Sequence, residues 1–201
     1  MIEENLLKNR IIFLNGEVNS ETSYDIITKL LYLDSLNQDD ISLYINSPGG
    51  SVREGLAIID CMNTIKSNIA TYCIGSSYSM GAIILSSGTI GKRYALPNSE
   101  IMIHSPSTNL SGKAEDISSS SKRLDETKNK LIEILSKNTK KNKKTINKYF
   151  KDDTYMNSDK ALEFGIIDKI IKSSWFKKQS VLEYNQKLTK REDNYVSKRC
   201  I

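Results

Sequence analysis

No apolar run in this sequence approaches the roughly 18 residues that a membrane-spanning helix requires. The opening stretch, Met1–Arg10, lacks the charged, apolar and small-residue order of a secretory signal. The expected setting is therefore cytoplasmic, or a plastid or apicoplast stroma if a transit segment has been removed. Cysteine is scarce, and Cys61, Cys73 and Cys200 stand at no paired or metal-ligand spacing. An odd count without pattern points to a reducing compartment and gives no reason to expect a metal or a disulfide framework. Cys61 and Cys73 lie among apolar residues and read as core packing. No internal repeat and no linker interrupts the chain, and histidine occurs once, at His104.

What is present is an ordinary globular composition: 201 residues, 38% hydrophobic and 26% charged, with a net charge of +5. That length supports one domain with a sizeable core. The positive charge is uneven, with six lysines between Lys137 and Lys148 and another cationic cluster between Lys172 and Arg199. No aromatic residue interleaves with the first cluster, so it reads as a solvated helix end rather than a nucleic-acid patch. Strand-like and helix-like pieces alternate, which predicts an α/β fold. Arg10–Asn15, Ile41–Asn46, Ala70–Gly75, Ile101–His104 and Ile166–Ile171 read as strands. Ser20–Leu36 reads as a helix with Ile26, Ile27, Leu30, Leu31 and Leu33 on one face. Ser51–Lys66 reads as another, with Val52, Leu56, Ile59 and Met62 inward and Ser51 and Glu54 at capping-box spacing. Met80–Ser87 looks helical as well. Glu115–Asn138 carries only the narrow stripe Ile117, Leu124, Leu131 and Leu135, as suits a helix that protrudes and packs on a neighbour. Ser158–Phe164 reads as a short helix capped by Ser158 and stopped by Gly165. Periodicity fades after Lys172, so residues 173–201 read as a basic, poorly ordered tail.

Three pieces carry chemistry. A lone histidine is most often structural, but His104 ends the apolar run Ile101-Met102-Ile103 and precedes Ser105-Pro106, a strand-to-turn break that presents a side chain from a rigid place. In Gly75-Ser76-Ser77-Tyr78-Ser79-Met80-Gly81-Ala82 a strand runs into a small-residue turn and then a helix. A serine there faces free N–H groups and the positive end of the helix. A plain tight turn needing small residues fits equally. The first glycine of a Gly-x-Ser-x-Gly elbow is missing. Asn46-Ser47-Pro48-Gly49-Gly50-Ser51 places paired glycines after a strand, where backbone can approach a bound group. The Lys-Ser/Thr continuation of a phosphate loop is absent.

Taken together these pieces resemble one family. The matching stretches are Tyr44-Ile45-Asn46-Ser47-Pro48-Gly49-Gly50, Tyr78-Ser79-Met80-Gly81-Ala82, Gly91-Lys92-Arg93-Tyr94-Ala95-Leu96-Pro97-Asn98-Ser99 and Met102-Ile103-His104. Asp153 before Tyr155-Met156-Asn157, and Ala161-Leu162-Glu163-Phe164-Gly165-Ile166-Ile167-Asp168, complete the set. The chain is similar to the proteolytic subunits of Clp-type proteases. The resemblance implies the ClpP/crotonase-like α/β fold of repeated β-β-α units, with a protruding handle helix at about 113–138 and a peptidase domain over 1–172. It implies Ser79 as nucleophile, His104 as general base and Asp153 as the carboxylate that orients the imidazole. It implies an oxyanion hole from the N–H groups of Gly50 and Met80, with Ser51–Gly55 and the turn after His104 flanking an extended substrate. The expected partners are further copies of the chain in heptameric rings, unfolded polypeptide substrates, and a hexameric Clp ATPase docking near Tyr44, Tyr72, Ile74, Tyr94 and Ile171. Of those five, Ile74 is the readiest alternative as a core residue. No nucleic acid and no membrane are expected as partners. No cofactor is expected in this chain, because ATP is used by the partner ATPase.

The sequence also departs from that family. The resemblance runs from about Leu6 to Ile171, so only Met1–Asn5 precede it and the axial loops are expected to be missing or cut off. Ser105 stands where glutamine is usual, and Asp152 stands where the family has an arginine that bridges two rings. The departures lead to an expectation of single rings whose triad is out of line without a facing ring, unless Lys151 or Arg123 replaces the arginine. They also keep open a ClpR-like structural subunit of low activity. An acyl-CoA enzyme of the crotonase type shares the fold but has no use for Ser79, His104 and Asp153 together.

Overall fold

A computed structural model describes residues 2–108 and 112–172 of the chain. The described residues through Ile170 form one compact unit, and Ile171 begins a second. The basic tail expected at 173–201 lies outside the described residues.

The first unit opens with α1 (Ile2–Lys8), β1 (Ile11–Asn15), α2 (Ser20–Leu36), β2 (Ile41–Ser47), α3 (Val52–Thr64), β3 (Ile69–Tyr78) and α4 (Met80–Ser86). Two strands then follow in succession, β4 (Arg93–Ala95) and β5 (Glu100–Ile103), before α5 (Ala114–Thr139) and α6 (Lys143–Tyr149). Strand β6 (Thr154–Asn157), α7 (Ser158–Phe164) and β7 (Lys169–Ile170) complete it. The strands form one seven-stranded sheet. Its spine is β1-β2-β3-β4-β7, parallel throughout. Strand β3 is long enough to take two neighbours on one edge: β4 along Thr71–Cys73, and then β5, also parallel, along Ser76–Tyr78. Strand β6 runs antiparallel to β5.

The core follows from the alternation of the strands. In β2, Ile41, Leu43 and Ile45 point inward and are fully buried, while Ser42 and Tyr44 face outward. In β1 the inward residues are Ile12 and Leu14. Helix α2 closes over them with Ser23, Ile26, Leu30 and Leu33, and α3 with Gly55, Ile58, Ile59 and Met62. Each large apolar side chain so buried contributes about 1.5–3 kcal/mol.

The α2 bounds agree with the sequence reading, and Asn19 caps the helix in a reciprocal box with Thr22. Leu31 is the exception to its expected face. One residue beyond Leu30 it is turned some 100° away and is 52% exposed. Ile74 is likewise exposed rather than core, because it shares the outer face of β3 with Tyr72. Helix α7 is capped by Asn157, whose side chain accepts from the Lys160 N–H at 2.9 Å. Ser158, the expected cap, donates instead to the Leu96 carbonyl at 2.6 Å. The run Ile166–Ile171 yields only the two-residue β7, because the Ile166 N–H is used in closing α7 onto Ala161.

Helix α5 bears out the narrow-stripe argument. Its residues 114–130 include none that is buried, and only Leu131, Ile132, Leu135 and Thr139 enter the core. The lysine cluster at its end is solvated, as expected, with Lys137, Lys140, Lys143, Lys144 and Lys148 exposed. Lys140 ends α5 in the left-handed conformation, and Asn142 caps α6. Lys141 stands 5.0 Å above the Phe164 ring.

One buried ion pair joins the far end of this architecture. The Arg93 guanidinium binds Asp168 through Nη2 at 2.6 Å and Nε at 2.9 Å, and also donates to the carbonyls of Ser86 and Asn138. It thus pins the ends of α4 and α5 to the approach of β7. Burial opposes the charge on Asp168, but the Arg93 hydrogen bonds outweigh it and hold the carboxyl below the ordinary aspartate range. With the folded-state value depressed, the stability is present above that range and is lost as pH falls through it. Replacing Asp168 with Asn leaves an enclosed guanidinium without its counter-charge and is expected to cost about 3 kcal/mol. Urea unfolding at neutral pH measures this, and the difference between Asp168→Asn and wild type should shrink in acid.

Candidate active site

The sheet topology brings three chain segments to one end. Parallel strands β3 and β5 finish side by side, and antiparallel β6 begins there. The residue after β3 is Ser79, the residue after β5 is His104, and the residue before β6 is Asp153. His104 Nε2 lies 2.8 Å from Ser79 Oγ, and His104 Nδ1 lies 3.1 Å from Asp153 Oδ1. A carboxylate can only accept, so Nδ1 carries the proton and donates to Asp153. Nε2 is left to accept from the Ser79 hydroxyl. The His104 side chain is 29% exposed and that of Asp153 is 56% exposed, so the pair is open to an incoming group. All three residues singled out in the sequence meet, and they meet within one chain. The expectation that Asp152 leaves them out of line without a facing ring is not met.

Ser79 is held in a backbone conformation that a non-glycine residue rarely adopts, with φ 51° and ψ −119°. Such strain costs about 1–3 kcal/mol and persists only where surrounding contacts over-determine it. Here the Ser79 N–H donates to the Met102 carbonyl at 2.8 Å. Behind it every residue of α4 is buried, which makes a rigid support. The elbow forms without the first glycine of the usual pattern. Ser77 stands at that position, fully buried. The close approach is made instead by Gly49, where an added Cβ would stand 2.7 Å from Ser79 Cβ.

That glycine belongs to the loop after β2. The buried Ser47 hydroxyl accepts from the Gly49 N–H at 3.1 Å. The Gly49 carbonyl accepts from Val18 N–H, and Ser51 N–H donates to the Val18 carbonyl, both at 2.7 Å. In parallel pairing, bonds to the residues on either side leave the intervening residue's own N–H pointing away from the partner strand. The Gly50 N–H therefore turns away from Val18. Met80 opens α4, so its N–H has no carbonyl four residues back within that helix. Beyond the loop, Ser51 caps α3 through the Glu54 N–H at 3.4 Å.

The residue before Ser79 is also tied down. The Tyr78 hydroxyl donates to Glu100 on β5, which pushes the phenol up to about 12. It stays protonated and donating across the neutral range. Its ring meets Tyr155 edge-on at 5.9 Å. Asp152 is exposed and makes no ion pair among the described residues; its carbonyl accepts from Thr154 Oγ1 at 3.4 Å. Among those residues no group of His, Cys, Asp and Glu is arranged to hold a metal ion.

A second cluster lies on the outer face of the sheet. Tyr44, Tyr72 and Tyr94 stand in register on β2, β3 and β4 and stack with ring centroids 4.5 Å and 4.9 Å apart. Burial raises the Tyr44 and Tyr72 phenols above their ordinary value. Phe13 on β1 extends the row, 5.3 Å from Tyr44 and 43% exposed. The sequence shows Phe13 in a strand-like run but not the register that places it here. Ile74 lies on the same face beyond Tyr72, and Ile171 opens the second unit.

The geometry can activate a hydroxyl against a carbonyl, at a strained strand–helix junction lined with backbone donors. Comparison with known families agrees with it: the family model described as Clp protease matches residues 1–174. The mixed α/β architecture, with its single sheet and protruding α5, is that of the ClpP fold. A match over so much of the chain, carrying every stretch that forms the site, means that the chain belongs to the Clp protease family.

Proposed function

We propose that this chain is a serine endopeptidase, the proteolytic subunit of a Clp protease that cuts unfolded polypeptides delivered by a hexameric ATPase. The observation that supports it most directly is the unbroken hydrogen-bond chain Ser79–His104–Asp153. His104 Nε2 takes the Ser79 proton as Oγ attacks the scissile carbonyl. The Gly50 and Met80 N–H groups receive the negative charge that develops on the carbonyl oxygen. The imidazolium, held by Asp153, passes its proton to the departing amine and leaves an acyl-serine. Water, deprotonated by the same imidazole, then releases the peptide acid and restores the serine. A ClpR-like subunit of low activity has no need for so complete a relay.

The surroundings suit an assembled enzyme. The first part of α5 offers no buried residue to its own core and fits a contact with another copy of the chain. The stacked tyrosines Tyr44, Tyr72 and Tyr94, with Ile74, form an aromatic outer face suited to the ATPase, and Phe13 extends it. We assign the copies to seven-membered rings. Asp152 brings an unpaired negative charge toward a facing ring, and desolvating it without a partner is unfavourable. Single rings are therefore the dominant species.

Three experiments test this. A fluorophosphonate probe should label Ser79, and Ser79→Ala should abolish both labelling and peptide turnover; labelling that survives the substitution overturns the assignment. Tyr72→Ser should weaken ATPase binding while the ring stays intact, as judged by pull-down and native mass measurement. In sedimentation at physiological salt the wild type should run mainly as single rings, and Asp152→Arg should shift the population toward double rings. A wild type that is already a stable double ring refutes the role given to Asp152.

A further inference from the structure

We propose that Ser105, the residue after His104, is a positioning residue that aligns the His104–Asp153 pair from within the chain. This rests on the reading of Ser79 as nucleophile and His104 as its base. The problem it addresses is visible in the sheet. Asp153 precedes β6, which among the described residues pairs with β5 alone, and the β5–β6 ladder ends at the pair Ile103↔Thr154. The His104–Asp153 pair stands one position past that last rung, with the Asp153 side chain 56% exposed. Sheet hydrogen bonding therefore restrains the pair from one side only.

The other side is closed by Ser105. Its backbone N–H donates to the Phe150 carbonyl at 3.1 Å, and its hydroxyl donates to the same oxygen at 2.8 Å. Two donors on one carbonyl use both of its lone pairs. Phe150 is a firm anchor. It is 1% exposed, ends α6, and donates its own N–H to the Ile146 carbonyl at 3.0 Å. Thr154 Oγ1 adds a tie from the far side of the loop to the Tyr149 carbonyl at 2.9 Å. The exposed residues Lys151 and Asp152 are thus spanned by two anchored ends. The pair is bracketed by the Ile103–Thr154 rung on one side and Ser105–Phe150 on the other, and its alignment is a property of a single chain.

The consequence is chemical. Asp153 at Nδ1 keeps the imidazole in the tautomer that leaves Nε2 free to accept. A loop free to drift from Phe150 onward would withdraw the carboxylate and let the imidazole turn away from Ser79 Oγ. Substrate contacts would be untouched.

The test uses the full chain and the rate at which a fluorophosphonate labels Ser79. Ser105→Ala removes the hydroxyl and is expected to slow labelling about tenfold, a fraction of the roughly hundredfold or more that a general base supplies. In peptide hydrolysis it should lower kcat with KM unchanged. Ser105→Thr, which keeps a hydroxyl, should restore both the labelling rate and kcat. A merely structural role would lower the melting temperature while the folded chain keeps its kcat, and that result overturns the proposal. So does a Ser105→Ala chain that labels at the wild-type rate while wild-type Ser79 is labelled. If Ser79 of the wild type is not labelled at all, the reading of the nucleophile fails and this inference with it.

Discussion

The site depends on one asymmetry in the sheet: β3 is paired along the same edge by β4 over its first part and by β5 over its last. Because β5 is parallel to β3, both strands deliver their C-terminal ends to the same place, and antiparallel β6 delivers its start there. A general rule of open α/β sheets is that ligands gather outside the carboxyl ends of the strands. Here that rule brings together a serine, a histidine and an aspartate from segments far apart in the chain. Had β4 run the full length of β3, His104 would have had no strand on which to reach Ser79.

The second constraint is the strained turn at Ser79. A positive φ on a serine is tolerable only because neighbours leave it no alternative, and the neighbours come from three elements. Met102 on β5 accepts the Ser79 N–H, α4 behind it is wholly buried, and Gly49 from the β2 loop presses against the serine itself. The same contact sets the β2 loop beside Ser79 and the first residue of α4. The strain at Ser79 and the close approach of the β2 loop are therefore features of one packing arrangement.

Stability and chemistry occupy opposite ends of α4. At its C-terminal end the Arg93–Asp168 pair, buried and saturated with hydrogen bonds, fastens α4, α5 and the approach of β7. At its N-terminal end the His104–Asp153 pair is exposed and held by fewer contacts. A firm base at one end allows the Ser79 end to remain open. The protruding part of α5 and the stacked tyrosines are likewise surfaces that one copy of the chain leaves unsatisfied.

Much of this was legible in the residues. The bounds of α2 follow from its apolar period, the protrusion of α5 from its narrow stripe, and the strand–helix junction at Ser79 from a strand pattern running into small residues. Ser79, His104 and Asp153 could be named because several ordered motifs stand at family-like spacing; taken alone, Ser79 fits a plain tight turn equally well and a lone histidine is most often structural. What could not be read was register and contact. The sequence carries no sign that Phe13 joins Tyr44, Tyr72 and Tyr94, that Gly49 replaces the missing elbow glycine, or that Asn157 rather than Ser158 caps α7. Nor does it show that Ser105 closes on Phe150. Local patterns are set by a residue's near neighbours in the chain, through backbone preference and periodic burial, and these the sequence determines by itself. Which strand lies beside which, and by how many residues it is shifted, depends on packing between segments distant in sequence, and only the tertiary structure decides it.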